Sequence, residues 1–286
     1  MINKISSVSY KNALIQGIQR RFQFTPKIED LDSILTPFEL KELLRKIPAD
    51  FFDVGADFKN VKTGNFRVNL HIHTKKSDGS MSPEEYLEQS VRYADEIARL
   101  KERDSFPFYI SATTDHNNCE ASQEVIAMIA DNPKKYKNFK FAAGCEFMFL
   151  DEQSGFKFPA FEAVGLGINP FSQELLKKIS AFNPIKLINK IKEFGAILSY
   201  AHPARFAQGN GVHPDFIKYL KRIGINGIES NYQYIGIKSS PELSAQICES
   251  KRIAAENDWF ETGGTDTHGK NIFHQKAQKI IDSELS

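Results

Sequence analysis

The sequence is poor in the features that mark several whole classes of protein. Its three cysteines, Cys119, Cys145 and Cys248, are odd in number and scattered without CxxC spacing. That usage excludes a disulfide scaffold and predicts a reducing, cytoplasmic setting. No stretch approaches the roughly 18 apolar residues of a membrane helix, and Met1-Ile-Asn-Lys-Ile-Ser-Ser7 lacks the apolar core of a secretory signal. Neither sign of charge dominates: 37 Lys and Arg against 36 Asp and Glu leave a net charge of +1. No broad field therefore attracts a long polyanion, and contact with nucleic acid would be local, at a nucleotide or a strand end. There is no internal repeat or low-complexity tract. The sequence also has no GxSxG elbow or comparable Ser or Cys signature, so nothing points to a protein nucleophile.

What is present reads as a globular α/β chain. At 286 residues, with 41% hydrophobic and 26% charged residues, it can bury a large core. From about residue 66 onward, apolar β-favouring runs alternate with helical patterns, which predicts βα units and a parallel sheet. Strands are expected at 66–73, 107–113, 139–146, 161–168, 196–201, 225–230 and 261–265. Helices are expected from 82 to about 102 and at 119–131, 172–180, 185–194, 214–223 and 241–257. Ser82-Pro83-Glu84-Glu85 and Thr36-Pro37-Phe38-Glu39 are capping boxes with proline at the first helical position. The aromatic stretch 147–158 reads as a β-hairpin around a Gly-containing turn. Residues 1–64 form a helical N-terminal extension without evident chemistry, and 65–286 form the main domain.

Five fragments of that domain carry ligand-type side chains at expected strand ends. The first is His71-Ile72-His73, followed by Asp78; two residues apart in a strand, the imidazoles share a face. The others are Asp115-His116, Gly144-Cys145-Glu146, Ala201-His202-Pro203 and Asp266-Thr267-His268. Each alone is a weak signal, since a polar turn gives the same letters. Together they take five of the chain's seven histidines, and strand C-termini are where parallel β/α barrels assemble active sites. Histidine with carboxylate is the donor set of a first-row or magnesium-type ion. Asp115 is expected to orient His116 or cap the turn rather than bind. Cys145 reads as a small core residue and His213, before Pro214, as a loop or cap residue. His274 receives no role.

As an ordered set, these motifs resemble those of the PHP (polymerase and histidinol phosphatase) family, over about residues 66–270. The resemblance implies a distorted seven-stranded TIM-like β/α barrel holding up to three divalent ions (Mn, Zn, Fe or Mg) at its C-terminal rim. It implies one ion held by His71, His73, Glu146 and Asp266, a second by Glu146 and His202, and a third by Asp78, His116 and His268. Glu146, Asp266 and His202 then stand at the catalytic centre. Relatives usually place a further histidine ligand two residues before the Val164-Gly165-Leu166 triplet; here that position is Glu162, a harder oxygen donor that would favour manganese, iron or magnesium over zinc. Arg205, three residues past His202, is the candidate phosphate fork, because a guanidinium matches two phosphate oxygens at once.

The implied activity is metal-dependent hydrolysis of a phosphate monoester of a small metabolite or nucleotide. The alternatives are an exonuclease acting on nucleic-acid ends and a non-catalytic PHP-like module. An amidohydrolase-type reaction also uses HxH in a β/α barrel, but that superfamily relies on a bridging lysine where this chain offers Glu146. No membrane partner is expected.

Overall fold

Local sequence signals start the helices of the computed structural model, which describes residues 6–53, 59–149, 161–180, 184–203, 212–232 and 241–273. Both expected capping boxes form: Thr36 and Glu39 open α2 (Pro37–Leu44), and Ser82 and Glu85 open α4 (Pro83–Leu100), each exchanging side-chain bonds with the other's backbone N–H. His213 caps α8 (Pro214–Ile223), its ring accepting from the Asp215 N–H. The remaining helices are α1 (Ser7–Phe22), α3 (Lys59–Lys62), α5 (Glu120–Asp131), α6 (Gln173–Ser180), α7 (Pro184–Glu193) and α9 (Pro241–Asn257). Among the described residues, no helix is long and apolar enough to cross a membrane.

Seven strands form one sheet in chain order: β1 (Val68–Asn69), β2 (Tyr109–Thr113), β3 (Phe139–Phe149), β4 (Phe161–Leu166), β5 (Ile197–Tyr200), β6 (Gly227–Ile228) and β7 (Phe260–Glu261). The sheet curls until its edges meet. Leu70 N–H donates to Gly263, Asp266 N–H to His71 and His73 N–H to Thr267. This is the distorted TIM-like barrel.

Two expectations need correction. The sheet is not wholly parallel, because β4 runs antiparallel to both β3 and β5. The hairpin expected over 147–158 is wider than read: Phe147–Phe149 extend β3 and pair antiparallel with β4, Phe149 opposite Phe161. The expected second arm, 156–158, lies outside the described residues. Only residues 150–160 separate β3 from β4, a connection short enough for an antiparallel return, while β4 and β5 are antiparallel with α6 and α7 between them.

Alternation along the strands divides the core in two. Inside the curl, Val68, Leu70, Ile110, Ala112, Ala142, Val164, Leu166 and Ile197 pack together, and Leu40 and Leu44 of α2 with Phe51 and Phe52 join them. This N-terminal plug sits where the parallel strands begin, since Lys41 reaches the Gly195 carbonyl just before β5. Outside the curl, Tyr109, Phe141, Cys145 and Phe147 pack under the helices, with Tyr10, Leu14 and Ile18 of α1 among their neighbours. With that end filled, the open end of the described barrel lies past the C-termini of its parallel strands.

Leu14 is fully buried, so Leu14→Ala should lower unfolding free energy by about 2–5 kcal/mol in a single urea transition. An unchanged midpoint would show α1 to be an appendage.

Candidate metal centre

The open end gathers side chains from β1, β2, β3, β4, β5 and β7. His71 and His73 follow β1 and, as expected, face the same way: their Nε2 atoms lie 3.1 Å apart. Around them are Glu146 Oε2, at 3.1 Å from His71 and 3.2 Å from His73, and Asp266 Oδ1, at 3.4 Å and 3.0 Å. These are the edge lengths of a coordination shell, since neighbouring ligands bonded at about 2.1 Å sit roughly 3.0–3.4 Å apart.

Two further groups adjoin this one. His73, Asp78, His116 and His268 form the first, with His268 Nε2 3.2 Å from Asp78 Oδ2. His116, Glu146 and Glu162 form the second, beside which His202 Nε2 lies 3.2 Å from Glu146 Oε1 and 3.3 Å from Glu162 Oε2. Nine sequence-derived residues, His71, His73, Asp78, His116, Glu146, Glu162, His202, Asp266 and His268, are thus brought together. The grouping is more shared than the resemblance implies. His116 Nδ1 turns to Glu146 at 3.2 Å while its Nε2 faces Asp78 at 3.7 Å, and His73 touches two groups. Arg205 lies outside the described residues, as does His274.

The reversed strand explains Glu162. Because β4 is antiparallel, its beginning rather than its end lies at the open rim, with Glu162 opposite Met148 and Val164 opposite Glu146. Glu162 therefore shares the inner face with Glu146, one rung nearer solvent.

Asp266 and His268 arrive differently from the expected strand alternation. Strand β7 ends at Glu261, and Asp266 adopts a left-handed φ of 46°. His202 does so as well, with φ 29°. Such backbone is unfavourable for residues other than glycine and persists where neighbours dictate it. Gly264 lets this turn in, because a Cβ there would come within 2.4 Å of the His71 nitrogen. Asp115 does not point at the ligand groups. It accepts from the Thr74 N–H at 2.7 Å, from the Thr74 hydroxyl at 2.9 Å and from the Ser77 hydroxyl at 2.7 Å. It therefore holds the turn that presents Asp78, as expected of a turn cap.

Two residues escaped the sequence reading. Glu229, just past β6, lies 2.9 Å from His71 Nδ1, and the Tyr232 hydroxyl donates to Asp266 Oδ2 at 2.6 Å. Glu229 ends the run Ile225-Asn226-Gly227-Ile228, and the strand-end criterion applied to β6 would have found it.

Charge binds the cluster together. Burial pushes Glu146 up, but His71, His202 and His73 prevail and hold it well below the usual carboxylate range. Burial likewise opposes protonation of His71, yet Glu146, Glu229 and Asp266 keep it well above the ordinary histidine value. His73, desolvated but bonded to Asp266 and Glu146, is raised to about 9. Glu162 is pushed up by burial and by the negative charge of Glu146. Glu146 Oε2, His73 Nδ1 and His116 Nδ1 are buried without a hydrogen-bond partner among the described residues. Ligand-type atoms crowded at shell-edge distances, as His116 Nδ1 and Glu146 Oε2 are at 3.2 Å, fit a divalent cation.

No family model matches the chain, and no curated protein matches it. Among solved structures it is similar to an amidohydrolase from Chromobacterium violaceum, with bound sulfate and no metal. That match has a TM-score of 0.53 and 16% identity, covering 71% of this chain and 88% of the other. A protein from Bifidobacterium adolescentis described as a metal-dependent phosphoesterase aligns with a TM-score of 0.48 and 15% identity, over 74% and 94% of the respective chains. At these identities the likeness is one of fold.

An imidazole binds metal only when neutral, so a cation must displace the protons that His71 and His73 hold. At pH 8, calorimetric titration with Mn²⁺ in buffers of different ionisation enthalpy should show proton release, of which the His73 share falls away as pH rises through about 9. Binding without proton release at pH 8 would place the ion elsewhere.

Proposed function

We propose that the chain is a metal-dependent hydrolase of the PHP type that cleaves phosphate monoesters of a small metabolite or nucleotide. The observation that carries this reading is the convergence of three imidazole nitrogens on one buried carboxylate oxygen of Glu146, each at 3.1–3.2 Å, at the mouth of the curled sheet. His71, His73, Glu146 and Asp266 would hold one ion; Glu146, Glu162 and His202, with His116 alongside, a second; and Asp78, His116 and His268 a third. Ions so held supply Lewis acidity and lower the cost of deprotonating a water near neutral pH.

The chain's own residues prepare that chemistry. Glu229 accepts from His71 Nδ1, which leaves Nε2 as the donor facing the cluster. Tyr232 fixes Asp266 through the oxygen turned away from His73. Asp115 anchors the 74–79 turn and so sets the reach of Asp78. Burial and then the charge of Glu146 make Glu162 costly to ionise, and a divalent ion between the two carboxylates would offset that cost.

Charge balance favours a phosphate substrate. The three groups contain four carboxylates, Asp78, Glu146, Glu162 and Asp266. Three divalent ions would leave an excess of two positive charges, or of one if Glu229 behind His71 is counted. An anionic monoester is drawn to that excess, whereas a neutral amide gains little from it. The name of the Chromobacterium violaceum structure motivates a second reading, amide hydrolysis, and an exonuclease acting on 5′ ends remains the alternative within phosphoester chemistry.

The test is hydrolysis by metal-stripped protein reloaded with Mn²⁺, Zn²⁺, Fe²⁺ or Mg²⁺, against nucleoside monophosphates, 3′,5′-bisphosphates, histidinol phosphate, a phosphodiester, a short 5′-phosphorylated RNA and an amide panel. We expect metal-dependent release of inorganic phosphate, reduced on the order of 100-fold or more in His71→Ala. Turnover of amides alone, or none with any ion, would overturn the proposal.

A further inference from the structure

We infer that Glu229 is a positioning residue which sets two candidate ligands at once, the imidazole of His71 and the main chain that carries His202, and thereby couples the first and second ion positions. The inference rests on the proposal that the cluster holds divalent ions.

Glu229 is 1% exposed and divides its two oxygens. Oε1 lies 2.9 Å from His71 Nδ1, while Oε2 accepts from the His202 backbone N–H at 2.8 Å. A carboxylate only accepts, so Nδ1 keeps its proton, and in the neutral, metal-binding form of His71 Nε2 would face Glu146 and Asp266 with its lone pair. The second bond falls where the backbone most needs holding. His202 has a φ of 29°, a conformation a β-carbon disfavours, and the chain leaves it at once through Pro203. Glu229 is itself fixed, its own N–H donating to the Tyr200 carbonyl at 2.9 Å.

One rigid anion thus spans the ends of β1, β5 and β6. The His71 ring belongs to the first ligand group and the His202 ring adjoins the second, through Glu146 and Glu162. A shift of Glu229 must disturb both. A residue that merely completed the packing of β6 would have no reason to address a ligand side chain with one oxygen and a ligand main chain with the other. Among the described residues its ion-pair contact is with His71, so burial of this carboxylate is compensated from the cluster alone.

Glu229→Gln discriminates well, because it preserves shape but offers one acceptor oxygen to two N–H donors. Titration of the full chain with Co²⁺ should give affinity lower by about 10–100-fold. The visible Co²⁺ bands should shift while the far-ultraviolet circular dichroism stays that of the wild type. Ser230→Ala, which removes a hydroxyl donating to Glu261 away from the cluster, should bind Co²⁺ as the wild type does. A packing role would lower the melting temperature of Glu229→Gln but leave affinity and bands unchanged, and that result overturns the inference. Should Glu229→Gln fail to fold, Glu229→Asp keeps the charge but is one methylene short. Weakened Co²⁺ binding there supports the inference and wild-type binding overturns it. Wild-type protein that binds Co²⁺ but hydrolyses no phosphoester would refute the proposed activity and leave this role standing, whereas no Co²⁺ binding by the wild type would refute both.

Discussion

A carboxylate buried among imidazoles is the constraint on which the rest of this structure depends. Glu146 is fully buried, and an unpaired carboxylate there would be prohibitively costly. What makes it tolerable is the ring of histidines contributed by β1, β2 and β5; of these, His71 and His73 are held, against the opposing effect of burial, toward the charged form by Glu146 and Asp266. The cluster is therefore a joint property of strands far apart in sequence. Removing any one member leaves the others carrying uncompensated charge, and a cation is the natural partner of a group assembled in this way.

The fold serves that cluster by controlling one end of a curled sheet. Leu40, Leu44, Phe51 and Phe52 fill the end where the parallel strands begin, and the ligand-type side chains gather at the other end. Below the cluster the inner face is filled by apolar residues such as Ala112 and Ala142, and Gly144 admits the close approach of the Thr113 carbonyl, which a Cβ would meet at 2.9 Å. The single reversed strand adds a donor that a purely parallel barrel would place at the wrong end. Left-handed backbone at His202 and Asp266 gives two more donors orientations that regular strands do not offer.

Much of this was legible in the sequence because it is written locally. Capping boxes at Thr36 and Ser82 depend on four consecutive residues, and apolar runs ending in His or a carboxylate mark strand ends whatever the tertiary partners. The direction of β4 was not legible, since apolar pattern is blind to strand polarity; only the short 150–160 connection hinted at it. The expected strand 261–265 stops at Glu261: Gly263-Gly264-Thr265 supports either strand or turn, and contact with the His71 backbone decides between them. The strand-end position of Glu229 was legible in Ile225-Asn226-Gly227-Ile228-Glu229, but its role was not. Its two partners lie 158 and 27 residues away, and only the folded chain brings them together.

Anomalous diffraction from crystals soaked in Mn²⁺ tests the central claim most directly. The account predicts an ordered peak within bonding reach of His71 Nε2, His73 Nε2, Glu146 Oε2 and Asp266 Oδ1. Crystals that take up Mn²⁺ only elsewhere, with those four atoms keeping their contacts to one another, would contradict it.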